Sequence, residues 1–193
     1  MDVRDATVGI GSAEELRELL GPPHERAATK DRYALDEQHR QWLAASPFCV
    51  ISTSAADGTC DASPKGDPPG FTLVLDDTTI AIPERPGNRR ADGYLNVLGN
   101  PHVGLLYVIP GRPETLRING RARLIRDAPY FDRMVVRDHR PILALEVSVE
   151  QIYFHCPKAF LRSGLWKPDT WPDRDASADE IENHYGPILY QIV

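Results

Sequence analysis

The sequence predicts a mainly β fold, a mostly antiparallel barrel or sandwich with peripheral helices. From Phe48 onward, short runs rich in β-branched and aromatic residues alternate with turn residues. Those runs recur at intervals that suit antiparallel pairing, and a regular alternation of strands with helices of about 10–15 residues is missing. The one glycine pair near the start, Gly9 and Gly11, precedes a helix with no strand before it. A dinucleotide-binding βαβ unit is therefore disfavoured.

The elements follow in order. Ser12-Ala13-Glu14-Glu15 has the form of a capping box, and Leu16, Leu19 and Leu20 then make one apolar stripe, so a short helix is expected over 12–20 before Gly21-Pro22-Pro23 ends it. A second helix is expected from Asp36, with Leu35, His39, Trp42 and Leu43 at helical spacing, ending before Pro47. Strands are expected at 48–54, 59–63, 71–75, 79–82, 102–109, 116–125 and 142–149, with 153–155 a short one. Helices at 89–98 and 129–136 interrupt them. Ser177-Ala178-Asp179-Glu180 repeats the capping-box pattern and opens a last short helix to Tyr185.

The 193 residues carry 22 basic and 28 acidic side chains, a net charge of −6, which argues against a broad nucleic-acid footprint. Cys49, Cys60 and Cys156 are odd in number and widely spaced, a pattern of reduced thiols with no metal motif. The first residues lack an apolar leader and no run approaches the length of a membrane span, so the expected compartment is the cytoplasm. Metalloprotease, nucleotide-triphosphatase and serine-hydrolase signatures are all absent.

The strongest local feature is Pro86-Gly87-Asn88-Arg89-Arg90, at a strand-to-helix transition. Two guanidinium groups, an amide and free helix N–H groups make a phosphate cradle, and the same residues read equally as a solvated basic turn. Ser63 and Lys65 supply a hydroxyl and an ammonium at the end of a strand, either as a plain loop or as contacts to a polar ring. Arg117 and Asn119 alternate with Leu116 and Ile118, so one strand face is polar, turned to solvent or to a ligand groove. Trp166 and Trp171 either wall a planar ligand or anchor the loop that carries them.

In series, Ser63-Pro64-Lys65-Gly66-Asp67, Pro83 to Arg90, Asn96 to Pro101, Glu114 to Ala122, and His155 to Ala159 with Arg162 to Trp166 resemble the FMN-binding split-barrel family related to pyridoxamine 5'-phosphate oxidase. The resemblance implies an antiparallel six-stranded split barrel over 35–172, an N-terminal helical extension over 1–34 and a helical tail over 173–193 packed on the same domain. It also implies a homodimer with non-covalent FMN at the subunit interface. Asn88, Arg89 and Arg90 match the phosphate-binding turn. Ser63 and Lys65 match residues beside the flavin ring and ribityl chain, Thr115 and Arg117 fall on a strand reaching the cofactor from the partner chain, and Trp166 matches an aromatic that closes the site.

A flavin-dependent oxidoreductase acting on a small organic substrate, with NADH or NADPH as candidate electron donor, is the expected function; no residue is singled out as a catalytic acid or base. The other readings are a non-enzymatic flavin-binding or sensing protein, and an authentic pyridoxamine 5'-phosphate oxidase. Against the last, the family's Arg-x-His pair near the C-terminus is replaced here by Arg162-Ser163-Gly164.

Overall fold

Seven strands form one antiparallel sheet in the order β2-β1-β5-β6-β7-β4-β3 in a computed structural model that describes residues 7–87 and 89–171. The strands are β1 (Phe48–Ser54), β2 (Cys60–Gly66), β3 (Leu73–Val74), β4 (Thr79–Pro83), β5 (His102–Val108), β6 (Thr115–Ile125) and β7 (Ala144–His155). The helices are α1 (Ala13–Leu20), α2 (Glu25–Ala28), α3 (Glu37–Ala45), α4 (Asp92–Gly99) and α5 (Lys158–Ser163), with 3-10 turns at Pro129–Met134 and Pro168–Thr170.

The expectation of a closed six-stranded barrel is corrected by this topology. The fold is mixed α/β, and its sheet is open, with β2 at one edge and β3 at the other. Closure would require those two edges to pair. β3 offers only two residues, and β2 carries Pro64, which has no N–H for a ladder bond. The expected run over 71–75 is shortened to Leu73–Val74, and the two runs expected at 142–149 and 153–155 are one continuous strand. The last of the expected helices, 177–185, lies outside the described residues.

The described residues up to Asp31 form one compact unit and those from Arg32 to Trp171 a second. In the first, the Ser12 hydroxyl accepts from the Glu15 N–H and the Glu15 carboxylate accepts from the Gly11 N–H, so α1 starts at a side-chain cap as its sequence predicts. No residue of α1 is buried.

The second unit holds the sheet and two apolar clusters. On one face, Cys49 and Ile51 of β1 meet Val103, Leu105 and Tyr107 of β5, Leu116 and Ile118 of β6, and Ile152 of β7. α3 covers part of it: Asp36 caps the helix, and His39, 3% exposed, accepts the Asp36 N–H in return while stacking on Phe154 at 5.2 Å. On the opposite face, at the β4–β7 end, Ala81 and Ala144 pack under Phe131 and Met134 of the 129–134 turn. Beside them Glu146, 8% exposed, accepts from Arg123 Nε at 2.7 Å and from the Tyr130 hydroxyl at 3.1 Å.

β6 and β7 change register between Asn119 and Gly120, because Asn119 faces Gln151 while Gly120 faces Val149 and Glu150 is left as the extra residue. Gly120 is required there: a Cβ at this position would lie 2.1 Å from the Ser148 carbonyl oxygen.

Candidate functional site

β2 places alternate residues on two faces. Asp61, Ser63 and Lys65 stand opposite Thr53, Ile51 and Cys49, and so share the face that carries the main apolar cluster. α4 lies across this part of the sheet. Its Gly93 permits the approach, since a Cβ there would be 3.0 Å from Asp61 Oδ2, 3.5 Å from Thr53 Oγ1 and 3.7 Å from Ser63 Oγ. Asn96 pins the helix by donating from Nδ2 to Thr53 Oγ1 at 3.0 Å.

The polar groups beneath α4 pair with one another. Ser63 donates its hydroxyl to Asp61 Oδ2 at 2.7 Å. The Lys65 ammonium lies 2.6 Å from Glu84 Oε2 and 4.8 Å from the centre of the Tyr94 ring. Tyr94 donates its phenol to the same Glu84 oxygen. Burial first, then the hydrogen bond and charge of Glu84, push the Tyr94 pKa up, so Tyr94 stays a neutral donor. The adjacent Cys49 thiol is pushed up to about 12 by burial, against a smaller downward pull from Lys65.

The start of α4 has an unusual backbone. Arg89 and Ala91 both take left-handed conformations, with φ of 61° and 59°, and no side chain caps the helix. An uncapped helix start preceded by left-handed residues presents backbone N–H groups to an anion. A polar cleft of about 330 Å³ opens beside it, lined by Thr59, Cys60, Asp61, Arg90, Asp92 and Asn96. Arg90 donates from Nε to Asp92 at 2.8 Å, with both side chains well exposed. Such an exposed pair is worth about 0–1 kcal/mol, so a doubly charged phosphate can displace the carboxylate at small cost. The donors at this turn therefore fit a phosphate group.

The sequence-predicted residues do not all converge within one chain. Lys65 pairs with Cys49, whereas Arg117 pairs with Leu106, which pairs with Val50; consecutive residues of β1 point to opposite faces. Ser63 and Lys65 thus lie on one face of the sheet and Thr115 and Arg117 on the other. Thr115 is buried, and the Arg117 guanidinium lies 5.3 Å from the Tyr153 ring. Trp166 donates from Nε1 to the Arg112 carbonyl at 2.8 Å and stacks on Phe160, which anchors its segment to the turn between β5 and β6. Arg90 lines the cleft, Arg89 takes its left-handed backbone one residue earlier, and Asn88 lies outside the described residues.

Glu84, Tyr94 and Arg85 were not singled out from the sequence. Arg85 stands within the run that includes Arg89 and Arg90, yet its task is structural: Nε meets Asp67 at 2.5 Å and Nη2 donates to the Met134 carbonyl at 2.7 Å. No cluster of three potential metal ligands occurs among the described residues. No described helix is long and apolar enough to cross a membrane.

A family model described as pyridoxamine 5'-phosphate oxidase matches residues 35–156. The chain belongs to this family. Within the pyridoxamine 5'-phosphate oxidase match lie β1 to β7, α4 and every predicted site residue except Trp166, which falls beyond its end. A crystal structure of a His-to-Ala variant of HupZ from Group A Streptococcus shares 18% identity, with 62% of this chain and 98% of that one covered at a TM-score of 0.51. A putative pyridoxamine 5'-phosphate oxidase from Lactobacillus delbrueckii shares 19% identity, with 65% and 99% covered at a TM-score of 0.50. These likenesses concern the fold. No curated protein matches the chain significantly.

Proposed function

We propose that this chain binds FMN and works as a flavin-dependent oxidoreductase on a small organic substrate, as a two-fold homodimer. The observation that carries the reading is the uncapped start of α4, with left-handed Arg89 and Ala91 beside a polar cleft, in a chain of the pyridoxamine 5'-phosphate oxidase family. The backbone N–H groups of α4, with Arg89 and Arg90, hold the phosphate. Ser63 and Lys65 lie under the same helix and orient the remainder of the cofactor. FMN, when bound, supplies the hydride chemistry, and the protein supplies binding, orientation and charge.

The division of Lys65 and Arg117 between two faces supports a dimeric site. A second copy related by a two-fold axis brings its Thr115 and Arg117 face toward the Lys65 side of the first and creates two equivalent sites. Because the Arg-x-His pair is replaced after Arg162, pyridoxamine 5'-phosphate is expected to be a poor substrate: one of the paired anion contacts that would orient it is missing.

Titration with FMN and riboflavin, together with mass spectrometry of any cofactor released on denaturation, tests the reading. FMN should bind at up to about one per chain, and well above riboflavin, because phosphate contacts are charge-assisted. Arg89→Glu with Arg90→Glu should remove that preference. Equal, weak binding of both compounds would refute the phosphate assignment. Light scattering of FMN-loaded protein should give a dimer, and a monomer with full FMN affinity would refute the shared site. Bleaching of the bound flavin by NADH or NADPH would identify the electron donor.

A further inference from the structure

Two side chains from separate elements meet on one carboxylate oxygen. Glu84 Oε2 takes the Lys65 ammonium from β2 and the Tyr94 phenol from the first turn of α4, and Glu84 itself follows β4 directly. The Lys65 and Glu84 side chains are each only 20% exposed, so water screens them weakly. The charges nearby are otherwise accounted for. Cys49 holds its proton, Asp67 is paired with Arg85, and Asp61 accepts from Ser63. Lys65 therefore reaches the face beneath α4 as a cation whose charge is cancelled by one neighbour.

We propose that Glu84, held in place by Tyr94, is the residue that sets the net charge Lys65 presents to the cofactor, and so sets how strongly the site prefers reduced over oxidised FMN. The inference rests on the FMN reading above and adds two residues to it, neither of which is needed to hold the phosphate. Two-electron reduction of a flavin with uptake of one proton adds one negative charge to its ring at neutral pH. An uncompensated cation beside the ring favours that state, and an uncompensated carboxylate opposes it. Glu84 and Tyr94 are positioning residues: they act through Lys65 and touch no reacting atom.

The sign of the effect separates this role from simple bracing of β2 against α4. The probe is FMN itself, with affinities measured for its oxidised form and for the form reduced by dithionite. Glu84→Gln leaves Lys65 uncompensated and should raise the ratio of reduced to oxidised affinity about tenfold, a rise of about 30 mV in the two-electron potential. Lys65→Met leaves the carboxylate uncompensated and should lower the ratio by a similar factor. Combining the two should return the ratio to within about threefold of the parent, since the pair is then removed as a unit. Tyr94→Phe, which keeps both charges, should shift the ratio by less than either charge removal.

If Glu84→Gln does not fold, Lys65→Met still carries the sign. Shifts in the same direction for both variants, or no shift in FMN-loaded protein, would overturn the inference and leave the FMN reading standing. Failure of the parent protein to bind FMN in either form would overturn both.

Discussion

The two ends of the sheet share one apolar cluster but differ in what covers their faces. At the β4–β7 end, both faces are covered: Ile80, Ile82, Leu145 and Val147 fill one side, and Phe131, Met134 and Ala144 fill the other. At the β2–β1 end, α4 covers one face with buried Val97 and with hydrogen bonds from Asn96 to Thr53 and from Tyr94 to Glu84, and the other has Ser52, Gly104 and Asn119 around a cavity of about 360 Å³. Apolar packing is worth about 1.5–3 kcal/mol per fully buried side chain, while a hydrogen bond contributes a net of about 0.5–1.5 kcal/mol. The first end supplies rigidity. The second keeps polar groups paired with one another beneath α4.

Substitutions should sort by this division. The largest effect is expected from Phe131→Ala, which opens a cavity in the double-sided end and should cost about 3–5 kcal/mol in urea unfolding while leaving FMN affinity unchanged in the folded fraction. A matching loss of FMN affinity would show that the two ends are coupled. Gly120→Ala comes next, because its Cβ collides with the Ser148 carbonyl at the register shift; a cost of about 1–3 kcal/mol is expected from the same measurement. Gly93→Ala should behave in the opposite way. Its gain in helix propensity, about 1 kcal/mol, offsets the contact with Asp61, so stability should move little, whereas displacement of α4 should weaken FMN binding in a fluorescence titration. Unchanged FMN affinity in this variant would place the ligand away from α4.

The smallest expected effect concerns pH. Burial lowers the His39 pKa from its ordinary 6.5, against the opposing attraction of Asp36. With the folded value depressed, the unfolded chain takes up the proton first, so stability is full above about 6.5 and falls as the pH drops through the folded value. Protonation of Nδ1 also removes the acceptor for the Asp36 N–H. Urea midpoints should decline between pH 7.5 and 5.5 in the parent, and more shallowly in His39→Gln.

Much of the fold was legible because its signals are local. The run of apolar and β-branched residues in Phe48–Ser54 gives β1 without further information, and Asp36 followed by an apolar stripe gives α3. β7 was read as two runs because Glu150 and Gln151 look like a break. In the structure Glu150 is the extra residue of the bulge and Gln151 accepts from Asn119 Nδ2 at 2.6 Å, so both stay within the strand. Closure of the sheet is the expectation furthest from the structure, since strand number is local but edge pairing is not. The arginine turn was visible at the site, as was the polar strand face. Glu84 and Tyr94 were not, because their partnership depends on β2 and the end of β4 coming together beneath α4, and residues 19 positions apart carry no sequence sign of it.

Pro64 has a consequence for how copies of this chain can meet. An edge strand beside a ligand site is a template for strand addition, and a flat one invites fibrils or swapped sheets. β2 carries a proline without an N–H and an ammonium one residue later, two features that blunt such growth. In the proposed two-fold dimer, a second copy would accordingly meet the broad face of the sheet rather than its rim.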